Sequence, residues 1–215
     1  MRLAELSERS AVSTATIKYY LREGLLPPGR RITATQAEYD EEHLRRLRLV
    51  RALIQVGGVS VASARDVLAA LDDDSLDHNK RLGTAVWALP HGQAPDEADP
   101  ATRTARRRAD TLLERLGWGY GPTPEGAPPP YGMLVTAIAT LERLGYPCGV
   151  EDLEPYARAL ARLAIDDLDL VERYSDSPDE QVEAAVALTV LYEPVLLALR
   201  RLAQAQESRR RFGGK

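Results

Sequence analysis

Apolar residues recur every three or four positions along most of the chain, a spacing that predicts a mainly α-helical fold. A short first helix is predicted around Leu3. Ser13, Asp40 and Ser60 each stand just before a periodic stretch, where helix N-caps are expected. Residues 30–39 are β-permissive and predict a small hairpin between the helices that follow Ser13 and Asp40.

Beyond residue 72 the same periodicity predicts an all-helical C-terminal region. The predicted helices span residues 75–89, 101–116, 131–144, 151–174 and 178–210. Loops rich in proline and glycine separate several of them, at 90–100 and 119–130. Pro178 occupies the first position of the last helix, where proline is favoured, whereas Pro194 lies inside that helix and is expected to kink or split it.

Charge is distributed unevenly along the 215 residues, whose net charge is −4. Residues 1–71 carry 11 basic and 8 acidic side chains and are net +3, whereas residues 72–215 carry 17 and 24 and are net −7. The acidic average therefore conceals a basic N-terminal part, which is typical of a nucleic-acid-binding domain. We predict a DNA-binding domain at 1–72, a connecting segment with a candidate dimerisation helix at 73–100, and a helical effector or interaction domain at 101–215.

The segment from Val12 to Pro28 is the most informative part of the sequence. A capped helix there carries hydroxyl groups at its start, followed by Lys18 and two adjacent tyrosines. Because consecutive helical residues point about 100° apart, Tyr19 and Tyr20 cannot both face a core, so one of them should point outward beside Lys18 or Arg22. A polar helix start with a cationic flank suits a DNA major groove. Taken alone, however, such a helix is more often an ordinary solvated surface.

The order of these elements resembles the MerR family of bacterial transcription regulators. The pattern is a Val-Ser-x-x-Thr recognition helix, a basic-Tyr-Tyr centre and Gly-Leu-Leu-x-Pro. In this chain it consists of Val12, Ser13, Thr16, Lys18, Tyr19, Tyr20, Gly24, Leu25, Leu26 and Pro28. The resemblance covers residues 1–71 and implies a winged helix-turn-helix domain.

The resemblance also implies how such a protein acts. A homodimer would place two recognition helices in successive major grooves of promoter DNA, with the wings on neighbouring phosphates. It would distort the promoter spacer, so that RNA polymerase, an indirect partner, engages both promoter elements. The DNA-binding residues predicted on this basis are Ser13, Thr14, Thr16, Lys18, Tyr19, Tyr20, Arg22, Arg30, Arg31 and Gln36.

Two features depart from the usual pattern of the family. The wing usually contains Tyr-Arg-x-Tyr, but this chain has Gln-Ala-Glu-Tyr at 36–39, so the wing arginine is absent and Glu38 lies nearby. In most members a long helix after the DNA-binding domain pairs antiparallel with its copy. The candidates for that helix here, 75–89 and 101–116, are short and separated by a loop.

The remaining chemistry-bearing residues give weaker signals. Trp118 and Tyr120, on a glycine-rich stretch, are candidates for a small-molecule effector pocket, with core packing as the alternative. Cys148 is the only cysteine and is expected to be an inert turn residue, and the acidic stretch 166–172 is expected to be a solvated helix face. With three histidines that lack ligand spacing, we predict no metal site and no cofactor.

No phosphate-binding loop, nucleophile elbow or Ser-His-Asp set is recognisable, so we predict that the protein is not an enzyme. The N-terminus lacks the apolar run of a signal peptide, and no membrane span is apparent, so we expect a cytoplasmic protein. The predicted function is a one-component transcription regulator. The alternative is a helical protein-interaction module whose helix-turn-helix is only structural.

Overall fold

The computed structural model describes residues 1–33, 36–119 and 126–213. Contacts divide the chain into two compact units, residues 1–89 with 174–215, and residues 90–173. Within the described ranges the structure is helical apart from loops and one two-stranded antiparallel hairpin, which confirms the predicted mainly α fold. The predicted division of the chain at 72 and 100 stays a prediction about domains.

The first unit contains the N-terminal elements and the last helix of the chain. Its elements are α1 (Leu3–Ser10), α2 (Thr14–Arg22), β1 (Arg30–Arg31), β2 (Ala37–Glu38), α3 (Glu41–Arg51), α4 (Val61–Leu71), α5 (His78–Trp87) and α9 (Pro178–Phe212). In the hairpin, Arg30 lies opposite Glu38 and Arg31 opposite Ala37. A π-helical turn, Ala52–Val56, continues α3 towards α4. Helices α1 to α4 with the hairpin form what we call the head.

Side chains predicted as N-caps make the expected bonds. The Ser13 hydroxyl accepts from the Thr16 amide, and Ser60 caps α4 through the amide of Ser63. Asp40 accepts from the His43 amide while His43 bonds back to the Asp40 amide, so α3 begins with a reciprocal capping box. These local bonds fix where α2, α3 and α4 begin and therefore how their faces are oriented.

Large aliphatic side chains form the core of the first unit. The largest fully buried members from the head are Leu6, Ile17, Leu25, Leu26, Leu44, Leu47, Val50, Leu53 and Val67. Helix α9 contributes Val182, Val186 and Val190 to the same cluster. At the π-helical turn, a Cβ added to Gly57 would lie 2.2 Å from Val190 Cγ1, so close packing against α9 requires glycine there.

The structure refines two predictions for the first unit. The helix expected from residue 75 begins at His78, because the Asp77 carboxylate caps it and Ser75 instead bonds to Asp73. Of the two outcomes expected at Pro194, a split does not occur, since one helix runs from 178 to 212, and a kink stays a prediction.

The second unit contains α6 (Pro100–Leu116), α7 (Pro129–Arg143) and most of α8 (Val150–Tyr174). Helices α6 and α7 begin at prolines, one or two residues earlier than predicted, because proline is tolerated where no amide bond is needed. Their shared core consists of Ala105, Ala109, Tyr131, Val135, Ile138, Ala139 and Cys148. Polar side chains connect the same helices, among them the Tyr131 hydroxyl, which donates to Asp110 at 2.5 Å.

Candidate DNA-binding surface

Helix α2 presents one apolar and one polar face. Ile17 and Tyr20 are buried in the core of the first unit, whereas Ser13, Thr14 and Lys18 are exposed on the other side. A stable helix whose outer face is hydrophilic and cationic can enter a DNA groove without unfolding, because its inner face is already held by packing.

The two adjacent tyrosines have different environments, as the helical geometry predicted. Tyr19 is 37% exposed, and the Arg22 guanidinium carbon lies 5.9 Å from the centroid of its ring. Tyr20 is 3% exposed, and burial, together with the nearby Tyr19, raises the pKa of its hydroxyl. Its burial argues against a direct contact of Tyr20 with DNA, since its ring already packs in the core.

Hydroxyl groups and free amides form the start of α2. Ser13 Oγ lies 3.1 Å from the Thr16 amide and 2.8 Å from Thr16 Oγ1, while Thr14 is exposed beside them. The N-terminus of a helix carries partial positive charge and unpaired amide hydrogens. This end of α2 therefore suits a phosphate or a base edge.

The hairpin carries the other predicted DNA-binding residues, and one of them already forms an ion pair within the hairpin. Arg30 forms an ion pair with Glu38 directly across the two strands. Arg31 and Gln36 are exposed, and Arg31 Nε also donates to the Thr33 carbonyl at 3.3 Å. Glu38 in the wing therefore pairs with Arg30, while Arg31 is exposed at the next position of the same strand.

One cation beside the recognition helix was not found by sequence reasoning. Arg65 on α4 donates through Nε to the Glu23 carbonyl at 2.9 Å and through Nη2 to the Glu23 carboxylate at 3.1 Å. Its side chain is half-exposed. Because Arg65 lies 42 residues from Glu23 in sequence, no local pattern could have placed it at the end of α2.

The candidate residues outside the head do not form a common site among the described residues. Trp118 is exposed just after α6, and Tyr120 lies outside the described residues. Cys148 is buried, and burial and Glu142 raise the pKa of its thiol, although the Arg108 guanidinium, with Nη1 2.7 Å from the sulfur, acts in the opposite direction. Among the described residues no group of His, Cys, Asp and Glu is arranged to hold a metal ion.

The exposed helix, its buried partner helices and the hairpin together define a winged helix-turn-helix DNA-binding domain. A family model described as the MerR HTH family regulatory protein matches residues 1–71. Residues 1–71 are therefore a MerR-type helix-turn-helix domain, and they correspond to the head.

The chain is similar to known transcription regulators, and the part of the chain that is covered differs from one to the next. The HTH-type transcriptional regulator ZntR homolog of Haemophilus influenzae is 27% identical over 42% of this chain and 74% of its own length. The HTH-type transcriptional regulator AdhR of Bacillus subtilis is 30% identical over 26% of this chain and 41% of its own length. A solved structure, that of the candidate transcriptional regulator SCO5550 from Streptomyces coelicolor A3(2), covers 100% of this chain at 56% identity with a TM-score of 0.84.

Proposed function

We propose that the protein controls transcription by binding promoter DNA as a homodimer, with one α2 helix of each protomer in the major groove. The observation that carries this proposal is the exposed polar and cationic face of α2 on a helix whose other face is buried. The match of residues 1–71 to the MerR HTH family supports the same function. Distortion of the promoter spacer, so that RNA polymerase engages both promoter elements, belongs to this proposal.

The residues divide into phosphate contacts and base-reading candidates. Lys18 and Arg22 carry full charges on exposed, flexible side chains and are assigned to phosphates. Thr14 and Thr16, with Ser13, lie at the start of the helix, where recognition helices approach base edges.

In the wing, Arg31 and Gln36 are assigned to the DNA backbone. Arg30 contributes less, because contact with phosphate would require it to leave Glu38. Tyr19 reaches the surface beside Arg22, whereas Tyr20 supports α2 from within the core.

An effector remains part of the proposal for the C-terminal region. Trp118 is exposed, which supports the assignment of an aromatic contact for a small molecule near the end of α6. Its indole provides a direct test, because a ligand that binds there should quench or shift the fluorescence of wild type but not change that component in Trp118→Phe.

The salt dependence of DNA binding tests the function. Footprinting on the DNA upstream of the protein's own gene should protect a two-fold symmetric site, and affinity should fall by roughly 0.9 log units per phosphate contact for each log unit of salt. Lys18→Ala should weaken binding to all sequences and lower that slope by about one. Lys80→Ala, which removes an exposed lysine from α5, is the matched control and should leave the slope unchanged.

Two results would change this assignment. Loss of discrimination at a single base pair in Lys18→Ala would make Lys18 a base contact instead of a phosphate contact. Absence of sequence-selective binding at low salt would favour the alternative, a helical interaction module whose helix-turn-helix is structural.

A further inference from the structure

A cavity of about 220 Å³ lies between α3 and the first half of α9, inside the first unit. Helix α3 follows the wing hairpin, so one wall of the cavity belongs to the head itself. Pockets for drug-sized ligands measure about 300–1,000 Å³, whereas an engineered cavity of about 150 Å³ holds benzene. The volume therefore suits a molecule with one ring or one branched chain and a small polar end.

Apolar side chains form most of the cavity lining. Leu49 and Ala52 contribute from α3 and the π-helical turn that continues it, and the members from α9 are Ala184, Ala187, Leu188 and Leu191. The alanines carry only a methyl group, which leaves the space that the leucines border. Tyr174 also lines the cavity and is 64% exposed, so the cavity opens to solvent on that side. The apolar part of a ligand would be stabilised against these walls.

Four charged side chains, two of each sign, line the same cavity. Arg45 pairs with Glu180, whose second oxygen accepts from Ser175 Oγ at 2.7 Å. Arg48 and Glu183 differ, since within the described residues neither forms a hydrogen bond or an ion pair. The Arg45 Nε atom is buried and likewise has no hydrogen-bond partner in that part of the chain. The cavity therefore offers unused donors on α3 and an unused carboxylate on α9.

Glu183 restricts the ligand most. Its side chain is half-buried, and burial raises the pKa of its carboxyl, although Arg46 and Arg45 act in the opposite direction. A partly buried carboxylate without a hydrogen bond is unfavourable, and a purely apolar ligand would bury it further. A ligand ammonium group would remove this penalty, because it forms a charge-assisted hydrogen bond with the ionised carboxylate.

The two arginines of α3 favour the opposite charge. Arg45 and Arg48 are three residues apart, which places them on one face of the helix. Guanidinium groups bind carboxylates through paired N–H donors. A ligand with only a cation would leave these donors unused, whereas a ligand with only an anion would be repelled by Glu183. A ligand that carries both charges satisfies both walls.

We propose that the cavity binds a zwitterionic amino acid with a large apolar side chain, such as phenylalanine. Its ammonium group pairs with Glu183, its carboxylate with Arg48 and Arg45, and its side chain lies against the leucines of α9. The site differs from the effector contact proposed at Trp118, which lies after α6. The assignment goes beyond the proposed function and does not depend on DNA binding.

Three matched ligands test this chemistry on the full-length protein by isothermal titration calorimetry. L-Phenylalanine carries both charges, phenethylamine lacks the carboxylate, and 3-phenylpropionate lacks the ammonium group. We expect phenylalanine to bind about tenfold more tightly than either analogue, since each analogue loses one charge-assisted contact. Absence of phenylalanine binding up to about 10 mM, or equal affinity for phenethylamine, would overturn the inference.

Two substitutions test which side chains hold the charged groups of the ligand. Glu183→Gln and Arg48→Gln should each raise the dissociation constant of phenylalanine by about tenfold, because each removes a charge that faces the ligand. Glu183→Gln should also bind 3-phenylpropionate more tightly than wild type does, since the repelling charge is gone. Glu193→Gln is the matched control, because Glu193 is an exposed glutamate of α9 outside the cavity lining. Wild-type affinity for phenylalanine in Glu183→Gln would refute the assignment.

Filling the cavity tests the place of the site. Ala187→Leu adds an isopropyl group to the lining, so it should abolish phenylalanine binding while the unfolding temperature without ligand stays the same or rises. Wild-type binding in this variant, with unchanged helicity by circular dichroism, would place the ligand elsewhere and contradict the proposal. If overpacking lowers its helicity, Glu183→Gln decides instead. A protein that binds phenylalanine in the cavity but protects no DNA would contradict the proposed function alone.

Discussion

The head and the α6–α7 pair are both helical, but they are held together differently. The head buries large aliphatic side chains, such as Leu44 and Leu47, and its ion pairs lie mostly at the surface, for example Arg9 with Glu41. The α6–α7 core combines three alanines with Val135, Ile138 and Tyr131, and ion pairs such as Arg143 with Asp99 connect these helices.

Polar side chains therefore have different roles in the head and in the α6–α7 pair. Because apolar packing stabilises the head, the exposed polar residues of α2 are not needed to hold the fold together, except for the cap at the start of the helix. In the α6–α7 pair, small residues let the helices approach, and polar side chains supply part of the specificity. The head should therefore respond most to changes in core volume, and the pair to changes in hydrogen bonding and pH.

The largest expected effect is the loss of a buried leucine from the head. Leu47→Ala should lower the free energy of unfolding by about 2–5 kcal/mol, because it removes a fully buried side chain and leaves a cavity. Ile138→Val in the α6–α7 core should cost about 0.5–1.5 kcal/mol. Urea unfolding with amide exchange of α3 and α7 measures both. If Leu47→Ala cost no more than the exposed Leu144→Ala, the head would not depend on apolar packing.

Two serine caps separate stability from DNA binding inside the head. Ser13→Ala and Ser60→Ala each remove a hydroxyl that accepts from the third following amide, so each should cost about 1 kcal/mol. Only Ser13→Ala should also weaken DNA binding, because Ser60 lies at the start of α4. Thermal unfolding and DNA titration of both variants provide the comparison. Equal loss of DNA affinity would mean that the cap acts only through stability.

Much of the head could be predicted because its determinants are local. The cap of α2, the capping of α3 by Asp40 and the outward direction of Tyr19 all follow from residues within one helical turn. Positions of the helices after residue 90 were also predictable to within about two residues, since proline and glycine punctuate them.

Features that depend on distant residues could not be predicted. Arg65 reaches Glu23 across 42 positions, and no pattern in either segment indicates the pairing. Packing of α9 into the core of the head was missed for the same reason, since Val190 and Gly57 meet only after folding.

A buried hydroxyl makes a smaller contribution in the second unit. Tyr131→Phe should lower stability by about 0.5–1.5 kcal/mol, because it removes the bond from the Tyr131 hydroxyl to Asp110 without creating a cavity. The exposed Tyr146→Phe should be neutral. Burial and Asp110 raise the pKa of Tyr131, so the component that ionises at the highest pH in an absorbance titration should disappear in Tyr131→Phe. Retention of that component in Tyr131→Phe would contradict the buried bond.

The smallest expected effect is an acid response of the α6–α7 pair. Arg143 lowers the pKa of Asp99 below its ordinary 3.8, with help from the Ala101 amide at the helix start. Because the unfolded chain then binds the proton more readily, this contribution to stability is present above that value and disappears as pH falls through the lower folded pKa. Asp99→Asn retains a cap but cannot titrate. The urea midpoint of the pair should therefore fall less between about pH 5 and pH 2 in this variant than in wild type. Equal losses would show that the Asp99–Arg143 pair stabilises neither helix, and the contrast with the head would then rest on packing alone.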